Sequence, residues 1–96
     1  MNRKPETFVL VRFTRKSGRI DTTLEAVGNA LLKLWALRNT TKTKDCIIFS
    51  KTTGQVVYYT EGTGNFPDVQ DKDLGNIEKY CPGLLAEIQK QSAEEN

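Results

Sequence analysis

The chain has 96 residues, of which 38% are hydrophobic and 27% are charged, a composition typical of one folded domain with a single core. It contains two cysteines and no histidine, which excludes a four-ligand zinc site and the Ser-His and Cys-His nucleophile pairs. No apolar segment approaches the roughly 18 residues of a membrane span, and no apolar stretch typical of a signal peptide follows the basic N-terminus. We therefore expect one cytoplasmic domain over residues 1–96, with frayed ends at 1–6 and 90–96.

Charge is distributed unevenly along the chain. Residues 1–44 carry ten basic and three acidic side chains, whereas residues 45–96 carry four basic and nine acidic ones. The formal net charge of +2 conceals this division. The two halves therefore suit partners of opposite charge.

The first elements predicted along the chain are a strand and a long helix. Residues 7–15 are rich in β-branched and aromatic side chains that face both ways, which predicts a central strand. A short returning strand at residues 19–21 fits the sequence after the next turn. Thr22 and Glu25 then have the spacing of a capping box, and apolar residues recur at helical spacing beyond it. We predict a helix over residues 22–38.

The second half of the chain begins with a hairpin. Residues 39–45 lack apolar anchors and are predicted as an exposed loop. The apolar runs at 46–50 and 55–61 then flank Gly54, at a position where a tight turn favours a positive φ angle. The predicted pairing of these two strands is antiparallel.

The remaining sequence predicts a loop and two short helical segments. Residues 62–70 are rich in turn formers, a helix is capped near residue 71, and a last helical segment carries the apolar residues of 84–88. The resulting order is β-α-β-β-α. It predicts an α+β fold with a small three- or four-stranded, mainly antiparallel sheet and helices packed on one of its faces.

The cysteines and the acidic residues do not predict a cofactor or metal site. Cys46 and Cys81 are predicted as free thiols, with a disulfide as the less favoured alternative. Asp68, Asp71 and Asp73 lack the spacing of a calcium-binding loop and are better explained as a helix N-terminus.

The basic residues of the first half carry a nucleic-acid hypothesis. On the predicted elements they fall near the first strand, its turn and the end of the first helix, where they form one face able to neutralise phosphates. The alternative is that they balance the acidic second half within the molecule. The residues of this candidate site are Arg12, Arg15, Lys16, Arg19, Arg38, Lys42 and Lys44.

A protein partner is the favoured hypothesis. The apolar positions of the predicted helix spread too widely to be covered by one sheet face, which leaves a flank for the terminal helix, a partner or a second copy of the chain. A homodimer through this helix is one form of that hypothesis. Tyr58 and Tyr59 face opposite ways in their strand, so one of them is expected on the surface. The candidate residues are Leu32, Leu37, Tyr58 and Tyr59.

Two further hypotheses complete the set. A small carboxylate-based enzyme would use Glu61, Asp68 and Asp71 beside the loop 62–70, but the lack of histidine disfavours it. An inhibitor-type protein would present the acidic segment 61–78 as a mimic of phosphates. We therefore expect a non-enzymatic binding module, with the size of a small bacterial or phage accessory protein.

Overall fold

The computed structural model describes the backbone of residues 5–94 and the side chains of residues 5–91. It confirms the α+β class, but the sheet has five strands instead of three or four, and the order of strands and helices is β-β-α-β-β-β-α. A single 3-10 turn, Ile77–Lys79, precedes the last helix. The strands are β1 (Thr7–Thr14), β2 (Ile20–Val27), β3 (Lys44–Ser50), β4 (Val56–Glu61) and β5 (Asp68–Gln70), and the helices are α1 (Ala30–Asn39) and α2 (Leu84–Glu94).

The sheet is antiparallel throughout, in the order β2-β1-β3-β4-β5. Its centre is β3, and β1 pairs with it from Phe8 opposite Ser50 to Thr14 opposite Lys44. Apolar side chains of both strands are fully buried at successive positions, so both faces of the sheet are covered. The prediction of a central strand at residues 7–15 is confirmed.

The two helices lie on opposite faces of the sheet. Leu32 and Ala36 of α1 pack on the face that carries Leu10 and Ile48. The opposite face is covered by the 3-10 turn and by Ile88 of α2. The prediction that the helices share one face is wrong, because side chains that alternate along apolar central strands need a cover on each side.

The segment predicted as the first half of a long helix is a strand. Side chains of β2 alternate strictly between half-buried and exposed positions, the period of a strand with one covered face. The interpretation of Thr22 and Glu25 as a capping box is therefore wrong, and the β-branched threonines favour the extended backbone. Gly28, with φ of +74°, ends the strand, and α1 begins two residues later.

The predicted hairpin is confirmed, with small differences at its ends. β3 and β4 pair around Gly54, which has φ of +80°. β3 begins at Lys44, inside the segment predicted as an exposed loop, and β5 lies inside the predicted loop 62–70. α2 continues to Glu94.

Residues 1–4, 95 and 96 of the predicted frayed ends lie outside the described residues. Cys46 is buried, Cys81 is half-buried, and both are free thiols. None of the helices within residues 5–94 is long and apolar enough to cross a membrane.

Candidate functional site

One end of the sheet collects the basic residues that the sequence singles out. The β1–β2 turn lies beside the loop between α1 and β3, because the amide of Arg15 donates to the carbonyl of Thr43 (3.0 Å). The guanidinium of Arg12 reaches the carbonyl of Asn39 at the end of α1 (3.4 Å). We call this surface the basic end. Its cations are Arg12, Arg15, Lys16, Arg19, Arg38, Lys42 and Lys44.

Two of these cations share one carboxylate on the α1 side of the sheet. Asp21 is the extra residue at an irregularity in the β1–β2 pairing. It accepts from Nε of Arg12 (2.9 Å) and forms an ion pair with Lys44. The pKa of Asp21 is held well below its usual range by Arg12 first and Lys44 second. Arg12 also lies over the Trp35 ring, 5.5 Å from its centroid, so its position is fixed.

A buried carboxylate holds a third cation on the other side of the sheet. Asp45 is fully buried and accepts from Nη2 of Arg15 (2.7 Å), the Tyr59 hydroxyl (2.8 Å) and the Gly62 amide (2.9 Å). Burial raises the pKa of Asp45, but the bonds from Arg15, Gly62 and Tyr59 together hold it below the ordinary value. Burial, followed by the bond to Asp45, raises the pKa of the Tyr59 phenol. The network joins the β1–β2 turn, β3 and β4 to the loop after β4.

The other four cations of the basic end have no such partner. Lys16, Arg19, Arg38 and Lys42 are exposed, and no carboxylate lies within salt-bridge distance of them among the described residues. Further carboxylates lie at the adjoining ends of β4 and β5, where Glu61 and Asp68 are opposite each other in the strand register. The basic end therefore carries a positive surplus, although a smaller one than its seven cations alone give.

A second surface is the outer side of α1. Leu31, Leu34 and Leu37 are 73%, 53% and 40% exposed, and they recur at three-residue spacing. We call these three residues the leucine face. Because α2 covers the opposite face of the sheet, no helix of the described chain covers the leucine face. The sequence places Leu31 and Leu34 in the buried stripe of a longer helix, so it misses this surface.

The residues predicted to bind a protein lie mostly in the core. Leu32 and Tyr58 are 3% and 4% exposed, and the ammonium group of Lys33 lies 5.2 Å from the centroid of the Tyr58 ring. Tyr59 is half-buried and bonded to Asp45. Neither tyrosine is free on the sheet, and of the four predicted residues only Leu37 is exposed. The expectation of a surface tyrosine fails because both faces of β4 are covered.

The acidic residues of the second half do not form a cluster. Asp71 binds Lys33 of α1 (3.1 Å), and Asp73 accepts from the Gly75 amide in a local turn (3.0 Å). Within the described part of the chain, no group of three or more metal-ligating side chains converges.

A shallow cleft opens at the basic end. It is lined by Thr14, Arg19, Ile20, Asp21 and Lys44.

Comparisons with known proteins were made for the whole chain. No protein-family model, curated protein or solved structure matches it. Its function is therefore inferred from the exposure, charge and hydrogen bonding of its own residues.

Proposed function

We propose that the chain is a non-enzymatic module that binds a protein partner through the leucine face of α1. The observation that carries this proposal is the exposure of Leu31, Leu34 and Leu37 on a ten-residue helix that, among the described helices, lies alone on its side of the sheet. Complete burial of one leucine side chain is worth about 1.5–3 kcal/mol. Burial of the exposed parts of all three supplies a substantial share of the free energy of a specific complex.

The chemistry of α1 indicates the kind of partner. Its only charged residues are Lys33 and Arg38, and it has no acidic residue. A helix whose solvent-facing side is also apolar can lie in an apolar groove of another protein. We therefore expect a groove with apolar walls and an acidic rim that faces Arg38.

A different protein fits the leucine face better than a second copy does. Of the two cations of α1, Lys33 already pairs with Asp71, and Arg38 has no carboxylate partner among the described residues. The α1 helix of a second copy has no acidic residue to pair with Arg38, whereas the rim of a different partner can supply one. The homodimer through the first helix, expected from the sequence, is thus the less favoured form.

The test is a double substitution, Leu34→Lys with Leu37→Lys. We expect wild-type thermal stability, because exposed side chains contribute little to folding, and complete loss of one defined partner in quantitative affinity purification from the source cells. That partner, once purified, should bind the wild-type chain and not the variant in calorimetry. The matched control is Phe66→Lys with Val69→Lys, which changes two exposed apolar residues elsewhere and should keep the partner.

Two outcomes contradict this proposal. One is a set of captured proteins that is the same for the wild-type chain and the leucine variant. The other is a loss of several kcal/mol in the free energy of unfolding of the leucine variant, which would mean that these side chains pack within the fold.

Binding of a nucleic-acid backbone is a second candidate function. The observation that favours it is the convergence of seven cations on the basic end, four of them exposed and without a described carboxylate partner. Such a surface contacts phosphates without reading the base sequence, so its affinity depends on salt.

Fluorescence anisotropy with labelled single- and double-stranded oligonucleotides tests the second candidate. If four exposed cations each contact a phosphate of a duplex, the affinity should fall about a hundredfold between roughly 50 and 200 mM salt. Gln at Lys16, Arg19, Arg38 and Lys42 should abolish binding, whereas Lys72→Gln with Lys90→Gln, a control away from the basic end, should not. Flat anisotropy at low salt would eliminate this function.

The cytoplasm is the proposed location. Two free thiols, Cys46 and Cys81, support it, because thiols persist in a reducing compartment.

A further inference from the structure

The backbone hydrogen bonds of β1 determine which amide and carbonyl groups of the neighbouring strand β2 are bonded within the sheet. The carbonyl of Glu6 accepts from the amide of Gly28 just after β2 (2.9 Å), whereas the carbonyl of Thr7 accepts from the amide of Lys51 just after β3 (3.0 Å). Bonding directions alternate along an antiparallel strand. Even-numbered residues of β1 are therefore bonded to β2, and odd-numbered residues to β3.

The backbone amide and carbonyl groups of the odd-numbered residues of β2 consequently point away from β1. Even-numbered residues of β1 lie opposite even-numbered residues of β2 along most of the pairing. Thr23, Glu25 and Val27 thus direct their amide and carbonyl groups outwards. No backbone hydrogen bond from another described residue reaches these groups.

The two edges of the sheet differ in their protection. The far edge, β5, has only three residues and follows Pro67, both of which limit pairing with another strand. β2 has eight residues and contains no proline, lysine or arginine. Its last residue, Val27, is apolar and 68% exposed. A long, unpaired edge of this kind is a template for another strand.

We propose that β2 pairs with β2 of a second copy of this chain, in an antiparallel two-fold arrangement that joins two five-stranded sheets into one of ten strands. The pairing satisfies the outward backbone groups of Thr23, Glu25 and Val27 in both copies. It also covers Val27. This interface is separate from the leucine face of the proposed function, and neither depends on the other.

Charge and strand length select the register of this pairing. Centring the two-fold axis on Glu25 places two glutamates opposite each other, and like charges directly opposite are destabilising. Centring it on Thr23 places Val27 opposite Arg19 of the second copy, outside its β2, so Val27 is not covered. Centring the axis on Leu24 avoids both arrangements and pairs Thr23 with Glu25. We therefore assign the register that places Leu24 opposite itself.

Sedimentation velocity over a wide concentration range tests the proposal. We expect a reversible transition from the 10.8 kDa chain to a species of twice that mass. In the dimer, amide exchange should slow at Thr23, Glu25 and Val27. The variant Thr23→Glu places a glutamate directly opposite Glu25 of the second copy, twice by symmetry, and should remain monomeric, whereas Val69→Glu on the β5 edge should dimerise normally.

A cysteine substitution tests the register independently. In the assigned pairing Leu24 forms a non-hydrogen-bonded pair, with Cα atoms about 4.5 Å apart, which is within reach of a disulfide. Leu24→Cys in a Cys81→Ser background should form a covalent dimer on oxidation, while Ala26→Cys, on the same side of β2, should not.

Three results would overturn the proposal: a wild-type chain that is monomeric at every concentration, a dimer that persists in the Thr23→Glu variant, or equal cross-linking at positions 24 and 26. The Leu34→Lys/Leu37→Lys variant should dimerise like the wild type. It therefore separates a failure of this proposal from a failure of the proposed function.

Discussion

Replacing Asp45 with alanine is expected to reduce the free energy of unfolding by about 3 kcal/mol, because two buried or half-buried donors lose their acceptor at about 1–3 kcal/mol each. These donors are the Gly62 amide and the Tyr59 hydroxyl. Arg15 adds less, since its side chain is 42% exposed and water replaces the lost partner. Urea denaturation at neutral pH measures the loss.

The pH dependence of that loss is the control. The pKa of Asp45 is lower in the folded chain than its ordinary value. Its stabilising contribution is therefore complete above the unfolded pKa, at about pH 4, and is lost as the pH falls through the folded pKa. The stability difference between the wild type and Asp45→Ala should follow the same course. A difference that stayed constant down to acidic pH would assign the effect to packing instead of to the charge.

Replacing Gly62 with alanine is expected to have an effect of similar size, about 3 kcal/mol, at the upper end of the usual range for overpacking. A Cβ atom at this position would lie 1.6 Å from the carbonyl oxygen of Thr41, which is backbone and cannot rotate away. The loop after β4 must then move, and the hydrogen bond from the Gly62 amide to Asp45 is disrupted. Thermal unfolding followed by circular dichroism measures the change.

Gly64 is the matched control for that substitution. It lies in the same loop, but a Cβ atom there meets no atom within 4 Å. Gly64→Ala should therefore leave the melting temperature almost unchanged. Equal melting temperatures for the Gly62 and Gly64 variants would show that the close approach to Thr41 does not hold this loop in place.

Local sequence patterns predict the strands of this fold more successfully than they predict its long-range contacts. The hairpin around Gly54 and the central strand β1 follow from alternation and turn chemistry, which act over a few residues. The segment around Leu24 satisfies both a helical and an alternating pattern. Its pairing with β1 decides between them, because tertiary contacts override a weak local preference. The sequence could not supply that contact.

The candidate surfaces show the same limit. A single basic face is a hypothesis that the sequence offers, since Arg12 and Arg15 fall on the first strand and Lys44 past the end of the first helix, but the sequence alone does not choose it over charge balance within the molecule. The burial of Asp45 does not follow, since an aspartate beside a polar loop is usually exposed and its partner Arg15 is 30 residues away. Likewise, the exposure of Leu34 depends on where α1 begins and on which sheet face α2 covers.

The order of strands in the sheet also determines how the chain folds. β3 and β4 are joined by a tight turn, but β1 reaches its central neighbour β3 only after the chain has passed through β2 and α1. Closing so long a loop costs conformational entropy before any contact of the core repays it. Folding should therefore be limited by the docking of the β1–β2 hairpin onto a preformed β3–β4 hairpin. Core substitutions at the β1–β3 seam, such as Val11→Ala opposite Ile47, should then slow folding more than they accelerate unfolding.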